Sequence, residues 1–291
     1  MEDQRGEDHL SSWVLGNSIV IQMSLRAAIE LDIFNIIANA GSEAQLSAAE
    51  IVEKIPTTNP SAAITLDRIL RLLSVNSLLS MSQRPCQSGD DATHQEMCYG
   101  LTQLTRHLAT NKDGVSSAST VLFLSERMMV EPLYMLKNMV LEPECKPFYS
   151  TYGANFYEHM AKEPKFDKLF QEFMTHSAKL FLNEVLKVYR GFEEWILHNW
   201  DDEHCKKLLK NCWEALPIHG KVIALETLIP QALENDFTSV NTIDDFYMML
   251  FHEGKVRTLA EFETLGKAVG FAETKIFAIG QGINVIEFLK N

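Results

Sequence analysis

The apolar positions near the start of the chain predict a series of short helices. From Ser11 to Leu31 the apolar residues are too dense for a helix with one wet face, so we expect this helix to be mostly buried, against a second copy of the chain. Asp32–Ile37 continues as a short helix that stops near Gly41. Ser47-Ala48-Ala49-Glu50 is a capping-box pattern, which predicts a third helix ending near Ile55.

The pattern then changes from helical spacing to a hairpin. Apolar residues recur at helical spacing from Leu66 to Val75, and strands are predicted at Leu78–Met81 and Met97–Tyr99, on either side of a polar loop at Gln83–Thr93. Helices followed by a hairpin form a winged-helix arrangement, which often binds DNA. Residues 1–115, however, carry 8 Lys or Arg against 14 Asp or Glu, a net charge of −6. We therefore expect dimer formation rather than DNA binding.

The second half of the chain alternates helices with apolar strands. A long helix is predicted from about Pro164 to Tyr189, and a buried strand at Lys221–Glu226. A later amphipathic helix ends at Gly270, and Phe277–Ile279 with Ile283–Phe288 predicts a closing hairpin.

One apolar run in this half ends in a histidine. Trp195–Leu197 predicts a buried strand, followed by a turn and the acidic first turn of a helix reaching about Ala215. This would put His198 at the carboxyl end of a strand, where ligands bind in open α/β sheets and where an imidazole suits a general base. The alternative is a structural histidine that caps the strand, because a single histidine is weak evidence for a site.

Composition sets limits on the class of protein. The 291 residues are 46% hydrophobic and 22% charged, which is typical of a globular protein with room for two domains. The net charge of −13 argues against binding nucleic acid or an anionic membrane. The sequence shows no apolar run long enough to span a bilayer and starts with acidic residues, so we expect a cytoplasmic protein. The five cysteines are scattered; Cys205 and Cys212 share a helix face, which favours core packing over a metal site.

The residues around His198 carry a family resemblance. Trp-Ile-Leu-His-Asn-Trp-Asp-Asp-Glu-His-Cys at 195–205, Leu-Lys-Asn-Cys-Trp-Glu-Ala-Leu-Pro at 209–217 and Gly-Lys-Val-Ile at 220–223 resemble the plant caffeic-acid-type O-methyltransferases. The similarity extends through the amino-terminal half and to Ile-Glu-Phe-Leu-Lys at 286–290, so it covers nearly the whole chain. The resemblance implies methyl transfer from S-adenosyl-L-methionine to a small hydroxylated aromatic substrate.

The resemblance also implies a fold and an assembly. Residues 1–115 would form a winged-helix-like, mainly α dimerisation domain, and residues 116–291 an α/β catalytic domain with a truncated, doubly wound Rossmann-like sheet. The expected partner is a second copy of the chain or a full-length relative.

In the family pattern, His198 is the base that removes the phenolic proton, and Glu226 is an acid that orients it. The alternative for Glu226 is a solvated charge at a strand end. A second flanking acid is expected where this chain has Val256, which cannot hold an imidazole by hydrogen bonding; Glu253 is the possible substitute.

The family's acceptor pocket matches apolar positions of this chain. In the family the long helix carries aromatic residues that face the acceptor and cofactor, and Phe166, Phe170 and Met174 match that pattern. Met128 and Met248 belong to neighbouring helices that line the family's pocket. The alternative for these methionines is plain core packing, since Met is a common gap-filler.

A segment of the family is missing. Gly191-Phe192-Glu193 runs directly into Glu194-Trp195, and the family's Asp-x-Gly-Gly-Gly loop, ribose-binding acid and Gly-Asp-x-Phe adenine site have no counterpart. The gap corresponds to roughly 65 to 70 residues, about three strands with their crossover helices. No cofactor-binding residues can therefore be assigned. We expect an intact first domain and a marginal or rearranged second domain, in which the strand at Trp195 leaves an open apolar edge.

Three interpretations follow from this pattern. The first is an O-methyltransferase of small phenols with impaired activity. The second is a non-catalytic interaction protein that pairs with itself or with a full-length relative. The third is a splice form or gene-model artefact that lacks the middle segment, which the abrupt in-frame join at Glu193-Glu194 favours over gradual decay.

Overall fold

The computed structural model describes residues 12–85, 95–188, 197–229, 238–252, 254–280 and 282–291. They fall into two compact units. The first comprises residues up to Met129 together with Lys168–Ser177, and the second comprises Val130–Asp167 and the residues from Ala178 onward. The domain boundary at residue 115 stays a prediction.

The first unit combines helices with a small antiparallel sheet. Its helices, preceded by a helical stretch at 12–16, are α1 (Ser18–Glu30), α2 (Ile33–Ala40), α3 (Ala48–Val52), α4 (Ala62–Val75) and α5 (Ala118–Leu124), and a 3-10 turn covers Thr105–Leu108. Its strands are β1 (Leu46–Ser47), β2 (Leu79–Pro85) and β3 (Gln95–Leu101), in the order β1-β3-β2. The predicted helices and hairpin are therefore confirmed.

Local sequence explains where these elements begin and end. The Ser47 hydroxyl accepts the Glu50 amide and the Glu50 carboxylate accepts the Ser47 amide, so the predicted capping box starts α3. Gly41 ends α2 with a φ of 134°. The hairpin is longer than predicted: residues 83–85 are strand rather than loop, because the ladder continues through the Arg84–Glu96 pair with its 2.8 Å ion pair. The rest of the predicted loop lies outside the described residues.

The first helical segment carries an apolar surface. Ala28 is the buried residue of α1, whereas Trp13 is 70% exposed and Leu15 is 75% exposed in the single chain. A helix this apolar is stable in water when a partner covers it. In the single chain, the apolar face that was expected to contact a second copy is therefore exposed to solvent.

The second unit begins with short helices and ends with a sheet. The border helix α6 (Arg127–Val130) and a 3-10 turn at Glu131–Met135 precede α7 (Leu136–Leu141), α8 (Pro147–Tyr152), α9 (Phe156–Met160) and α10 (Pro164–Val188). A 3-10 turn at Leu197–Asn199 is followed by α11 (Asp202–Ala215), β4 (Lys221–Thr227), α12 (Thr238–Phe251), α13 (Leu259–Val269), β5 (Glu273–Gly280) and β6 (Ile283–Leu289). The predicted long helix, strand, last helix and closing hairpin are confirmed, with Tyr189 outside the described residues.

The described strands of this unit form an antiparallel sheet in the order β4-β6-β5. Helices α11 and α13 share an apolar core with it, in which Cys205, Ile286 and Phe288 are fully buried. Cys205 is thus a core residue, as its spacing predicted. Its thiol pKa is raised to about 11 by burial.

The strand predicted at Trp195–Leu197 is wrong for Leu197, and Trp195 and Ile196 lie outside the described residues. Leu197–Asn199 is a single 3-10 turn, so His198 does not end a strand. The physical reason is that side chains bind the backbone of Leu197: its N–H donates to Glu226 and its carbonyl accepts from Arg257. Both groups are therefore unavailable to a β-ladder, and the open strand edge predicted here has no support.

Candidate active site

His198 and Glu226 form a direct pair. The His198 Nδ1 atom lies 2.7 Å from Glu226 Oε2, and the Glu226 side chain is fully buried while that of His198 is 19% exposed. Glu226 is the sixth residue of β4, close to its carboxyl end, as the apolar run of that strand predicted. The alternative of a solvated strand-end charge is excluded by this burial.

The partner of Nδ1 determines the histidine's tautomer. A carboxylate only accepts hydrogen bonds, so Nδ1 carries a proton and donates it to Glu226. In the neutral ring the lone pair then resides on Nε2, which is the atom that can take up a proton. The resulting imidazolium would face the buried negative charge of Glu226, an arrangement that suits a general base.

The backbone next to His198 is held by two opposite charges. Glu226 Oε1 accepts the Leu197 N–H at 2.8 Å, so one carboxylate fixes both the turn and the ring. From the other side, Arg257 Nη1 donates to the Leu197 carbonyl at 2.8 Å and Nη2 donates to the Trp200 carbonyl at 2.8 Å. Sequence reasoning missed Arg257, although it directly follows Val256, the position at which the family's second acid is expected.

The loop at the second flanking-acid position packs against the same turn. A Cβ added to Gly254 would overlap the backbone of His198 and Asn199, so only glycine allows this approach. Val256 is 4% exposed, and its amide donates to Asp245 Oδ1 at 2.9 Å. Val256 is thus a core residue, and Glu253, the substitute considered for the missing acid, lies outside the described residues.

Two further titratable groups interact with His198 and were not predicted as site residues. Burial raises the pKa of the Asp244 carboxyl above its usual value, and the charge of His198 opposes that shift. Burial lowers the pKa of His252 to about 4, and repulsion by the charge of His198 acts in the same direction. The surroundings of His198 therefore contain a second carboxyl, that of Asp244 on α12, and a neutral histidine, His252, which directly follows α12.

The predicted pocket residues divide between the units. Met128, Phe170 and Met174 belong to the first unit, and Met248 belongs to the second unit, on α12. Phe170 packs against Phe123 with ring centroids 5.5 Å apart. Met174 is 44% exposed, which is more than plain core packing would leave. Phe166, the third residue of the helical pattern, is 6% exposed in the second unit and contacts Phe156.

The described residues do not fit the expected methyl donor. Rossmann-like sites hold a nucleotide-like ligand at a glycine turn between a parallel strand and a helix. The described strands of the second unit are antiparallel, and the parallel pairing among the described residues is an isolated bridge between Leu228 and Arg257, outside these strands. Within the described residues no group of three or more His, Cys, Asp or Glu could hold a metal ion, and no helix is long and apolar enough to cross a membrane.

Family models match both halves of the chain. The model of an O-methyltransferase dimerisation domain matches residues 13–111, and the model of an O-methyltransferase domain matches residues 191–272. The (S)-scoulerine 9-O-methyltransferase of Coptis japonica is 38% identical to the chain, over 100% of the chain and 91% of the relative. The caffeic acid 3-O-methyltransferase of Medicago sativa is 32% identical, over 98% of the chain and 95% of the relative.

The length of the first of these alignments shows how many positions of the relative this chain lacks. It extends over 357 positions whereas the chain has 291 residues, so at least 66 positions of the relative have no residue opposite them. This number agrees with the segment that the sequence comparison found missing before Trp195.

Solved structures with the same fold share little sequence with the chain. Human N-acetylserotonin methyltransferase in complex with SAM has a TM-score of 0.78 at 15% identity, covering 98% of each chain. CalO1, a methyltransferase in calicheamicin biosynthesis in its SAH-bound form, has a TM-score of 0.73 at 17% identity, covering 99% of each chain. The predicted fold class, a Rossmann-like methyltransferase domain preceded by a mainly helical dimerisation domain, is confirmed.

Proposed function

Because the chain belongs to the plant family of S-adenosylmethionine-dependent, caffeic-acid-type O-methyltransferases, we propose that it acts on a small phenolic or related plant metabolite with His198 as the general base. The observation that carries this proposal is the 2.7 Å pair between His198 Nδ1 and the buried Glu226 carboxylate. It supplies an oriented imidazole with its lone pair on Nε2 and a fixed countercharge behind it.

The proposed role of this pair is to remove the acceptor proton. As the phenolic O–H bond breaks, the proton passes to His198 Nε2 and the electron pair remains on the phenolate oxygen, which becomes the nucleophile. The imidazolium that forms is stabilised by Glu226, which also keeps the ring in the productive tautomer. In this family S-adenosyl-L-methionine supplies the methyl group.

The proposed contacts to the acceptor are apolar and adaptable side chains. From the family resemblance we assign this role to Phe170, Met174, Met128 and Met248 individually, because flexible thioethers and aromatic rings suit flat aromatic ligands. The named relatives are enzymes for scoulerine and for caffeic acid, which supports a hydroxylated aromatic acceptor. The cysteines are scattered, and the four that the structure describes, Cys98, Cys145, Cys205 and Cys212, are reduced thiols, which supports a cytoplasmic location.

We further propose that turnover is impaired in this chain. The 66 unmatched alignment positions and the absence of a glycine-rich turn before Trp195 support this proposal, since positioning of the donor dominates methyl transfer. The proposed base and its carboxylate partner are among the described residues, whereas no site for the donor is visible among them.

The first experiment is a calorimetric titration of the full chain with S-adenosylhomocysteine, followed by methyl-transfer assays on a panel of phenols. Where transfer is detected, His198→Gln should lower the rate by about 100-fold or more, because a positioned base is lost. His204→Gln is the matched control, since His204 Nδ1 also binds a carboxylate, Asp201, at 2.9 Å but is 69% exposed. Equal loss in both variants would contradict the role of His198.

One observation favours a second function. The exposed apolar residues Trp13 and Leu15 lie within the segment matched by the dimerisation model, and dimerisation needs no methyl donor. If neither donor binding nor methyl transfer is found, we propose a non-catalytic partner of a full-length relative. Co-expression with such a relative should then yield a heterodimer, and recovery of separate homodimers alone would contradict it.

A further inference from the structure

Arg257 is a buried cation next to the proposed base. Its side chain is fully buried, and it follows the loop after α12, 60 residues from the carbonyl that it binds. The guanidinium donates from three nitrogens: Nη1 to the Leu197 carbonyl, Nη2 to the Trp200 carbonyl, and both Nε and Nη2 to Asp202 Oδ1, at 2.8–3.0 Å. The Leu197 and Trp200 carbonyls lie before and after His198 along the backbone.

We propose that Arg257 is a positioning residue for His198: its guanidinium spans the turn that carries the imidazole and fixes the direction in which Nε2 faces. The inference rests on the proposed role of His198 as the base. Arg257 acts on the imidazole through the backbone of Leu197 and Trp200, whose carbonyls it binds.

The positions of these acceptors require a planar guanidinium with several donor nitrogens rather than a charge on a single atom. The Leu197 and Trp200 carbonyls are bound by different nitrogens of one rigid plane, so their separation and direction are fixed together. A lysine ammonium has three donors on a single atom at the end of a flexible stem, and it could not reproduce these three directions.

Opposite charges hold the two backbone groups of Leu197. The N–H donates to the buried Glu226 carboxylate and the carbonyl accepts from the buried Arg257 guanidinium, so each charge stabilises one end of the local dipole. Cys205 Sγ also donates to the Leu197 carbonyl, at 3.2 Å. A plain structural ion pair would need only Asp202, and the bonds to Leu197 and Trp200 are what connect Arg257 to the base.

The test uses nitrogen NMR of the full chain labelled at histidine, with His198 assigned by the loss of its signals in His198→Gln. In the wild type we expect His198 to be the Nδ1–H tautomer. Arg257→Met should give a mixture of tautomers and raise the exchange rate of the Leu197 amide at least tenfold relative to that of Leu225 in β4. Arg257→Lys should give intermediate values.

Arg71→Met is the matched control, because Arg71 also binds an aspartate, Asp67, at 2.8 Å but is 51% exposed. It should leave the His198 signals unchanged. A folded Arg257→Met variant with the wild-type tautomer and exchange rate would overturn the proposal.

A second pair of variants covers loss of folding. If Arg257→Met does not fold, Arg257→Lys and Asp202→Asn decide the question, because Asp202 is 46% exposed and its replacement keeps the buried cation. Wild-type signals in both would overturn the proposal, and a shifted tautomer in Arg257→Lys would support it. None of these measurements needs a methyl donor. If they show an oriented His198 while the assays detect no methyl transfer, the result contradicts the proposed function but not the proposed role of Arg257.

Discussion

Two histidines each contact a carboxylate, but the two carboxylates differ in how deeply they are buried. His198 and His204 each place Nδ1 within 2.9 Å of a carboxylate oxygen, but the carboxylate of Glu226 is fully buried and that of Asp201 is 51% exposed. A buried countercharge is less screened by water than an exposed one. The first pair can therefore stabilise an imidazolium effectively, whereas the second pair resembles an ordinary helix cap.

His252 should make the stability of the protein sensitive to mild acid. It lies against the rings of Phe156 and Tyr157 and is repelled by the charge of His198, and its pKa is lowered to about 4 from an ordinary value of 6.5. Between these values the unfolded chain binds a proton that the folded chain does not. The free energy of unfolding should therefore fall as the pH falls, by about 2 kcal/mol between pH 7 and pH 5 from this residue.

Urea denaturation of wild type and His252→Phe at both pH values measures this effect, since phenylalanine keeps the ring packing and does not titrate. The variant should lose less stability than the wild type over that window. His204→Gln should behave like the wild type, and an equal pH dependence in wild type and His252→Phe would refute the assignment.

The residues of the candidate site differ in how far sequence could reveal them. The pair of His198 and Glu226 could be predicted, because each follows an apolar run in a stretch that matches a family pattern. Arg257 and Asp244 could not, because their importance depends on contacts across 60 and about 46 residues of chain that no local pattern encodes. The sequence shows that Val256 stands where the family has an acid, but it does not show which group faces the imidazole instead.

At the level of single elements, the start of α13 illustrates a predictable contribution to stability. Thr258 accepts the Glu261 amide, and the Glu261 carboxylate accepts the Thr258 amide, which completes a capping box. Thr258→Ala should destabilise the protein by about 1 kcal/mol, because helix amides lose their acceptor. Thermal or urea denaturation measures the change.

Thr264→Ala in the same helix is the matched control. The Thr264 hydroxyl donates back to the Ala260 carbonyl on an exposed face, a contact that contributes little to helix stability. Its replacement by alanine should leave stability unchanged or slightly increased. A loss equal to that of Thr258→Ala would mean that the cap is not the cause.

Elements with local signals were predictable, and the element that depends on distant side chains was not. Capping residues, terminal glycines and hydrophobic spacing located α3, α4, α13 and the closing hairpin. Leu197, in contrast, has the composition of a strand residue but forms a 3-10 turn, because Glu226 and Arg257 bind its backbone. Tertiary contacts thus override the local preference there.

For the whole molecule, the missing segment predicts unequal stability of the two halves. We expect helices that pack on this segment in full-length relatives to lose partners here, whereas the hydrophobic core around Leu70, Leu73 and Tyr99 in the first unit does not involve that region. Hydrogen exchange should therefore be slower at the amides of Leu70 and Leu73 than at those of Ala224 and Leu225.

Limited proteolysis provides an independent measure of the same prediction. Residues 116–291 should be cleaved earlier than residues 1–115 at matched protease concentrations. Equal protection of both regions, by exchange and by proteolysis, would show that the second region has reorganised into a stable structure without the segment.

The contacts around Leu197 also explain why a large internal loss can spare the base. Glu226 and Arg257 lie 29 and 60 residues after Leu197, and Gly254 and Asp202 fall within the same interval. These four residues, which hold His198 and its turn, are therefore all encoded on the carboxyl side of the Glu193-Glu194 join. The contacts described for this turn thus fall within a stretch of about sixty residues, one that recombination or splicing could carry intact from one sequence context into another.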